Sequence, residues 1–117
     1  ILPGVGAFED CIKTLKDTGF IDELNELILH KEIPIYGICL GMQVMAKKSF
    51  EFGEHIGLGW ISGVVKKLDS DGLQLPHVGW NEIDICTSST LVDDIPDGTN
   101  FYFAHSRLNR DRTSQHA

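Results

Sequence analysis

The sequence predicts an α/β fold in which a mostly parallel central sheet is flanked by helices. Two helix-period runs, a short β-branched apolar stretch behind them, and a glycine pair opening a further helix carry that expectation. In the first run Phe8, Cys11, Ile12 and Leu15 recur at i, i+3, i+4 and i+7, the spacing of one helix face. Asp17-Thr18-Gly19 interrupts it. Phe20, Ile21, Leu24, Leu27 and Ile28 then resume the stripe, which ends before Pro34. Residues 33–38 are short, apolar and β-branched, and read as a buried parallel strand; residues 40–50 read as the helix that follows. Gly53, Gly57, Gly59 and Gly63 around Trp60 predict loops and turns. Residues 63–68, 82–86 and 100–104 read as strands, with Asp69-Ser70-Asp71-Gly72 as a turn after the first. Residues 107–117 hold only one large apolar side chain, Leu108, so a loose polar tail is expected there.

A chain of 117 residues has the size of one domain, with residues 1–106 as its body. Hydrophobic residues at 42% and charged residues at 23% give the balance of a globular chain rather than a disordered one. Seventeen Asp plus Glu against ten Lys plus Arg leave a formal net charge of −7, which argues against binding to phosphate backbones. The longest apolar stretch, residues 33–46, is broken by Pro34, Gly37, Gly41 and Gln43 and falls short of the roughly 20 residues a membrane-spanning helix needs. Neither nucleic acid nor membrane is an expected partner. Cys11, Cys39 and Cys86 form no C-x-x-C pair, so no disulfide framework is expected, which favours a reducing, cytoplasmic setting. The chain opens on Ile1-Leu2-Pro3-Gly4 as the middle of a protein does, and a preceding segment is expected.

Gly37-Ile38-Cys39-Leu40-Gly41 places a nucleophile between two glycines at a strand-to-helix junction, the cysteine form of a nucleophile elbow. A side chain on so sharp a turn sits in a strained backbone conformation, and neighbours without Cβ atoms relieve the crowding. The helix start sets partial positive charge near the sulfur, and the Leu40 N–H points where an oxyanion would form. A buried, inert cysteine is the competing reading of the same pattern. Cys11 and Cys86 read as core filler. Pro3-Gly4-Val5-Gly6 is a second glycine element, able to turn backbone N–H groups toward an anion or simply to open a helix. Among His30, His55, His77, His105 and His116 no pair has H-x-x-x-H spacing, so no metal is expected, and no cofactor.

Five segments together resemble the glutaminase subunits of imidazole glycerol phosphate synthases, which are class I (triad-type) glutamine amidotransferases. They are Leu2-Pro-Gly-Val-Gly-Ala-Phe8, Gly37-Ile-Cys-Leu-Gly-Met-Gln43, Gly57-Leu-Gly59, Pro76-His-Val-Gly-Trp-Asn81 and Phe101-Tyr-Phe-Ala-His-Ser106. The resemblance implies the α/β amidotransferase fold, with Cys39 as the nucleophile that attacks the side-chain amide of glutamine. It implies an oxyanion hole from the backbone of Gly4, Val5, Gly6 and Leu40. Gln43, His105 and Ser106 would bind the substrate, while Trp80 and Asn81 would face a cyclase partner that receives the ammonia in a heterodimer. His77 is expected to be structural. A paralogue serving another synthase, such as one making an amino sugar, would use the same elbow. The family's catalytic His-x-Glu lies well beyond its His-Ser position, and nothing after Ser106 matches it. A chain limited to these residues is therefore expected to be catalytically incompetent, retaining at most a binding or assembly role.

Overall fold

The computed structural model describes residues 1–69, 72 and 74–110. They fall into two compact units, Ile1–Leu68 with the stretch from Arg107 onward, and Asp69–Ser106.

The first unit begins with the helix the apolar spacing predicts. Helix α1 spans Phe8–Asp17, with Glu9 and Asp10 in its first turn and Lys16 in its last, each complementing the helix dipole. Ala7, at its N-cap, has no side chain that can cap, so the cap comes from elsewhere: the Phe8 N–H donates to Glu51 Oε2 at 3.0 Å. Gly19, at φ +75°, turns the chain into α2 (Phe20–Asn25), and a single π-helical turn, Glu26–His30, completes the second predicted stripe.

Two expectations fail between residues 33 and 50. Among the described residues, the strand-like pairing of residues 33–38 is with Leu2, which forms one parallel bridge with Gly37 and exchanges hydrogen bonds with Tyr36 O and the Ile38 N–H at 2.8 and 2.9 Å. One partner residue makes no ladder, and Ile33, Tyr36 and Ile38 are exposed rather than buried. The predicted helix over 40–50 is cut to α3, Leu40–Val44, and strand β1 takes Ala46–Ser49. The cause is tertiary. Carbonyls of Val44, Met45, Ala46 and Lys47 accept hydrogen bonds from Leu58, Ile61, Gly59 and Gly57, so they cannot continue a helical ladder. Helix propensity in Ala-Lys-Lys loses to this wrapping loop.

Strand β1 pairs antiparallel with β2 (His55–Ile56) and parallel with β3 (Ile61–Lys67). Strand β6, Arg107–Arg110, then lies antiparallel on β3, so the start of the expected polar tail is a sheet edge. The rest of that tail, residues 111–117, and Ser70 and Asp71 of the expected turn lie outside the described residues. The α/β class holds. The sheet, in the order β2-β1-β3-β6, is mixed rather than mostly parallel, because the antiparallel pairings of β2 with β1 and of β6 with β3 outnumber the one parallel pairing, β1 with β3.

Helices and sheet close on Phe8, Ile12, Leu40, Val44, Ala46 and Val65, all buried. Each large apolar side chain there contributes about 1.5–3 kcal/mol. Beside this core Glu51 gathers three groups: it caps α1, its own N–H donates to Ser49 Oγ at 3.1 Å, and its Oε1 meets Arg107 at 3.1 Å. Its side chain is only 10% exposed. Glu51→Ala leaves the Phe8 N–H and Arg107 without this partner and is expected to lower the unfolding free energy by about 2 kcal/mol. An unchanged urea midpoint would show that the carboxylate contributes nothing.

The second unit is a hairpin of β4 (His77–Glu82) and β5 (Asn100–His105), in register from His77↔His105 to Glu82↔Asn100. The strand expected at 82–86 is thus displaced toward the N-terminus. Ile83 still pairs with Thr99, but the Ile85 N–H is taken by the Asp97 carboxylate at 2.7 Å, which ends the ladder. Cys86, expected in the core, is consequently exposed.

Candidate active site

Cys39 sits between the 33–38 segment and α3 at φ +53°, ψ −118°, a conformation that residues with a Cβ rarely adopt. The strain is held by its surroundings. The Gly41 N–H donates to Ile38 O at 3.0 Å and the Gln43 N–H to Cys39 O at 3.1 Å, closing the turn on both sides of the cysteine. A Cβ on Gly37 would stand 2.6 Å from Met45 Sδ and 2.7 Å from Met42 Cα; one on Gly41 would collide with the Leu2 carbonyl. Both glycines of the motif are therefore steric requirements. The thiol between them is exposed.

The Pro3-Gly6 loop lies against this turn. A Cβ on Gly4 would touch Leu40 Cβ at 3.2 Å and the Gly41 nitrogen at 3.5 Å, so the backbones of the two glycine elements nearly meet. Gly6 takes φ +106° and Val5 is 92% exposed. Leu40 buries its side chain in the core while opening α3, where a helix leaves N–H groups outside its own ladder. Gln43 follows on the same short helix, half-buried. Gly4, Val5, Gly6, Cys39, Leu40 and Gln43 thus belong to one unit, with the first glycine loop packed beside the cysteine turn.

His105, Ser106, Trp80 and Asn81 belong to the hairpin unit. Trp80 is 70% exposed and meets Tyr102 edge-on, ring centroids 5.6 Å apart. Asn81 instead turns its carboxamide to His77, Nδ2 to Nε2 at 2.6 Å. His77 Nδ1 lies 2.9 Å from His105 Nε2. Sequence reasoning missed both Tyr102 and the His77 contact, because neither is visible until the register of the hairpin is known. It also passed over His30-Lys31-Glu32, the one His-x-Glu in the chain, which is exposed at the end of the π-helical turn and precedes the elbow. Among the described residues no group of three His, Cys, Asp or Glu side chains could hold a metal ion. No helix among them is long and apolar enough to cross a membrane.

Cys11, packed against the core, has its thiol pushed up by burial. A raised thiol is less ionised at a given pH and so reacts more slowly. Brief, limiting iodoacetamide treatment at neutral pH should leave Cys11 unmodified while Cys39 is alkylated, with Cys11 catching up only as pH rises. Early labelling of Cys11, mapped by mass spectrometry, would contradict its placement.

The described residues thus place a cysteine on a strained turn of an α/β fold, with a glycine loop packed against it. The profile of the family described as glutamine amidotransferase class-I matches residues 1–114, and the chain belongs to that family. Its relatives are more particular. It is 46% identical over 107 residues to the imidazole glycerol phosphate synthase subunit HisH 1 of Campylobacter jejuni, covering 91% of this chain and 53% of that protein. It is 44% identical over 110 residues to the subunit HisH of Leptospira borgpetersenii, with coverages of 91% and 53%. To the Chlorobium luteolum subunit HisH the identity is 47% over 106 residues, with coverages of 91% and 52%. The chain spans about half the length of the curated relatives it matches.

Proposed function

We propose that this chain is the nucleophile-bearing part of a glutaminase subunit that supplies ammonia to an imidazole glycerol phosphate synthase, in histidine biosynthesis. The observation that carries the reading is the Cys39 elbow, positive in φ and wedged by Gly37 and Gly41, with the Gly4 loop packed on Leu40. The Cys39 thiolate attacks Cδ of the glutamine side chain, and the carbonyl oxygen becomes an oxyanion. Backbone N–H groups of Gly4, Val5, Gly6 and Leu40 stabilise it, each donor worth about 3–4 kcal/mol in related chemistry. Collapse breaks the C–N bond, the nitrogen takes a proton and leaves as ammonia, and a glutamyl thioester stays on Cys39. Water then attacks the thioester, releasing glutamate and the thiol. Gln43, His105 and Ser106 hold the substrate. No cofactor or metal takes part.

Trp80 provides the contact to the synthase partner, a cyclase subunit in a cytoplasmic heterodimer, and Asn81 supports that edge from the next position. An exposed tryptophan backed edge-on by Tyr102, beside exposed Val78, has the make-up of an interface anchor. Co-purification with a tagged cyclase subunit tests the assignment. Trp80→Ala should weaken the complex by about 2 kcal/mol, near thirtyfold in Kd, with an unchanged melting temperature. Failure of the unsubstituted chain to bind the cyclase, with capture of a different synthase instead, would assign the ammonia elsewhere.

A further inference from the structure

We propose that His77 is a positioning residue that locks the His105 ring in one tautomer and that Asn81 sets the direction of the lock. All three lie on the β4–β5 hairpin, where His77 and His105 are register partners. The Asn81 carboxamide nitrogen can only donate, so His77 Nε2, 2.6 Å away, is the acceptor. The single proton of the neutral His77 ring then sits on Nδ1, which donates to His105 Nε2 across 2.9 Å. That makes Nε2 of His105 an acceptor as well and puts its proton on Nδ1. Phe103 clamps the arrangement from the side. Its ring stacks on His77 at 5.1 Å and 23° and meets His105 at 5.6 Å. Gly79, at φ +147°, carries no side chain between His77 and Asn81 on the strand they share.

The consequence rests on the proposed role of His105 in binding glutamine. With Nε2 committed to His77, any contact the ring makes through its other nitrogen is a donor's contact. It suits an oxygen of the substrate, carboxylate or amide, and not the amide N–H₂. The same chain of hydrogen bonds runs from Asn81, next to the exposed Trp80, to His105.

Nitrogen-15 spectra of the imidazoles, taken at mildly alkaline pH on the chain with Cys39→Ser to block chemistry, decide the tautomer directly. The expected result is protonated Nδ1 and unprotonated Nε2 in both His77 and His105. His77→Phe keeps the ring on Phe103 but removes the donor, and His105 should then populate both tautomers. His77→Asn restores a donor near the Nδ1 position and should return His105 to the Nδ1–H form. Proximity between Trp80 and Tyr102 in the same samples reports that the hairpin is intact, and the unsubstituted spectrum is decisive even if a variant unfolds. Glutamine titration should show about three- to tenfold weaker binding for His77→Phe, recovered by His77→Asn. His105 found with its proton on Nε2, or unmoved by His77→Phe, overturns the lock. A tautomer that shifts as expected with unchanged glutamine affinity upholds the lock and removes His105 from the substrate site.

Discussion

The 117-residue chain, incubated with glutamine and the cyclase subunit, should release glutamate no faster than its Cys39→Ala variant. Cys39 is exposed, and under the proposed function its thiol makes the first attack. The cycle needs more: a group to protonate the departing nitrogen and another to activate water for the thioester. His105 is engaged with His77, and no His-x-Glu follows Ser106 within these residues. Loss of a triad member typically costs several orders of magnitude in rate. His30-Lys31-Glu32 is the internal rival, exposed at the end of a helical turn. A coupled glutamate-release assay separates these cases. Sustained turnover abolished by Cys39→Ala would establish a base inside the chain, and its further loss in His30→Ala would identify that base.

Gly41→Ala should unfold the elbow rather than merely slow it. A methyl group there would occupy the space of the Leu2 carbonyl oxygen, which is backbone and already accepts from the Ile38 N–H at 2.9 Å. Relief requires moving Leu2, which among the described residues is the one that bridges the 36–38 segment, and Leu2 also packs on the core. The cost should be about 2–4 kcal/mol, from overpacking together with lost hydrogen bonds. Urea unfolding monitored by far-ultraviolet circular dichroism gives the number. A midpoint equal to that of the unsubstituted chain would mean that the Leu2–Gly41 approach does not exist in solution.

Helix α1 and strands β3 and β5 were legible because their information is local: apolar spacing for the helix, β-branched or aromatic runs for the strands. The elbow was legible for the same reason, since two glycines flanking a cysteine state their own steric purpose. Strand β1 was not. Its Ala-Lys-Lys-Ser sequence favours a helix, and only the capture of four carbonyls by residues 57–61 makes it extended. Strand β4 was misplaced because the β-branched stretch at 82–86 read as the strand, whereas cross-strand pairing with β5 starts it at His77, across Gly79. The contact of His77 with His105, 28 positions apart, depends on that register and could not precede it. The polar stretch at Arg107 was read from composition alone, yet four of its residues complete the edge of the sheet and one of them reaches Glu51.

The most direct measurement is affinity labelling with a chloroketone shaped like glutamine, followed by mapping of the modified cysteine. Displacement of chloride by a thiolate forms a stable thioether and needs no general acid, so the test does not depend on a complete triad. Cys39 and Cys86 are both exposed, and reagent access alone would mark the two alike. The account predicts a single adduct on Cys39, suppressed by excess glutamine, with Cys86 modified no faster than by plain iodoacetamide. Equal labelling of Cys39 and Cys86, indifferent to glutamine, would contradict it.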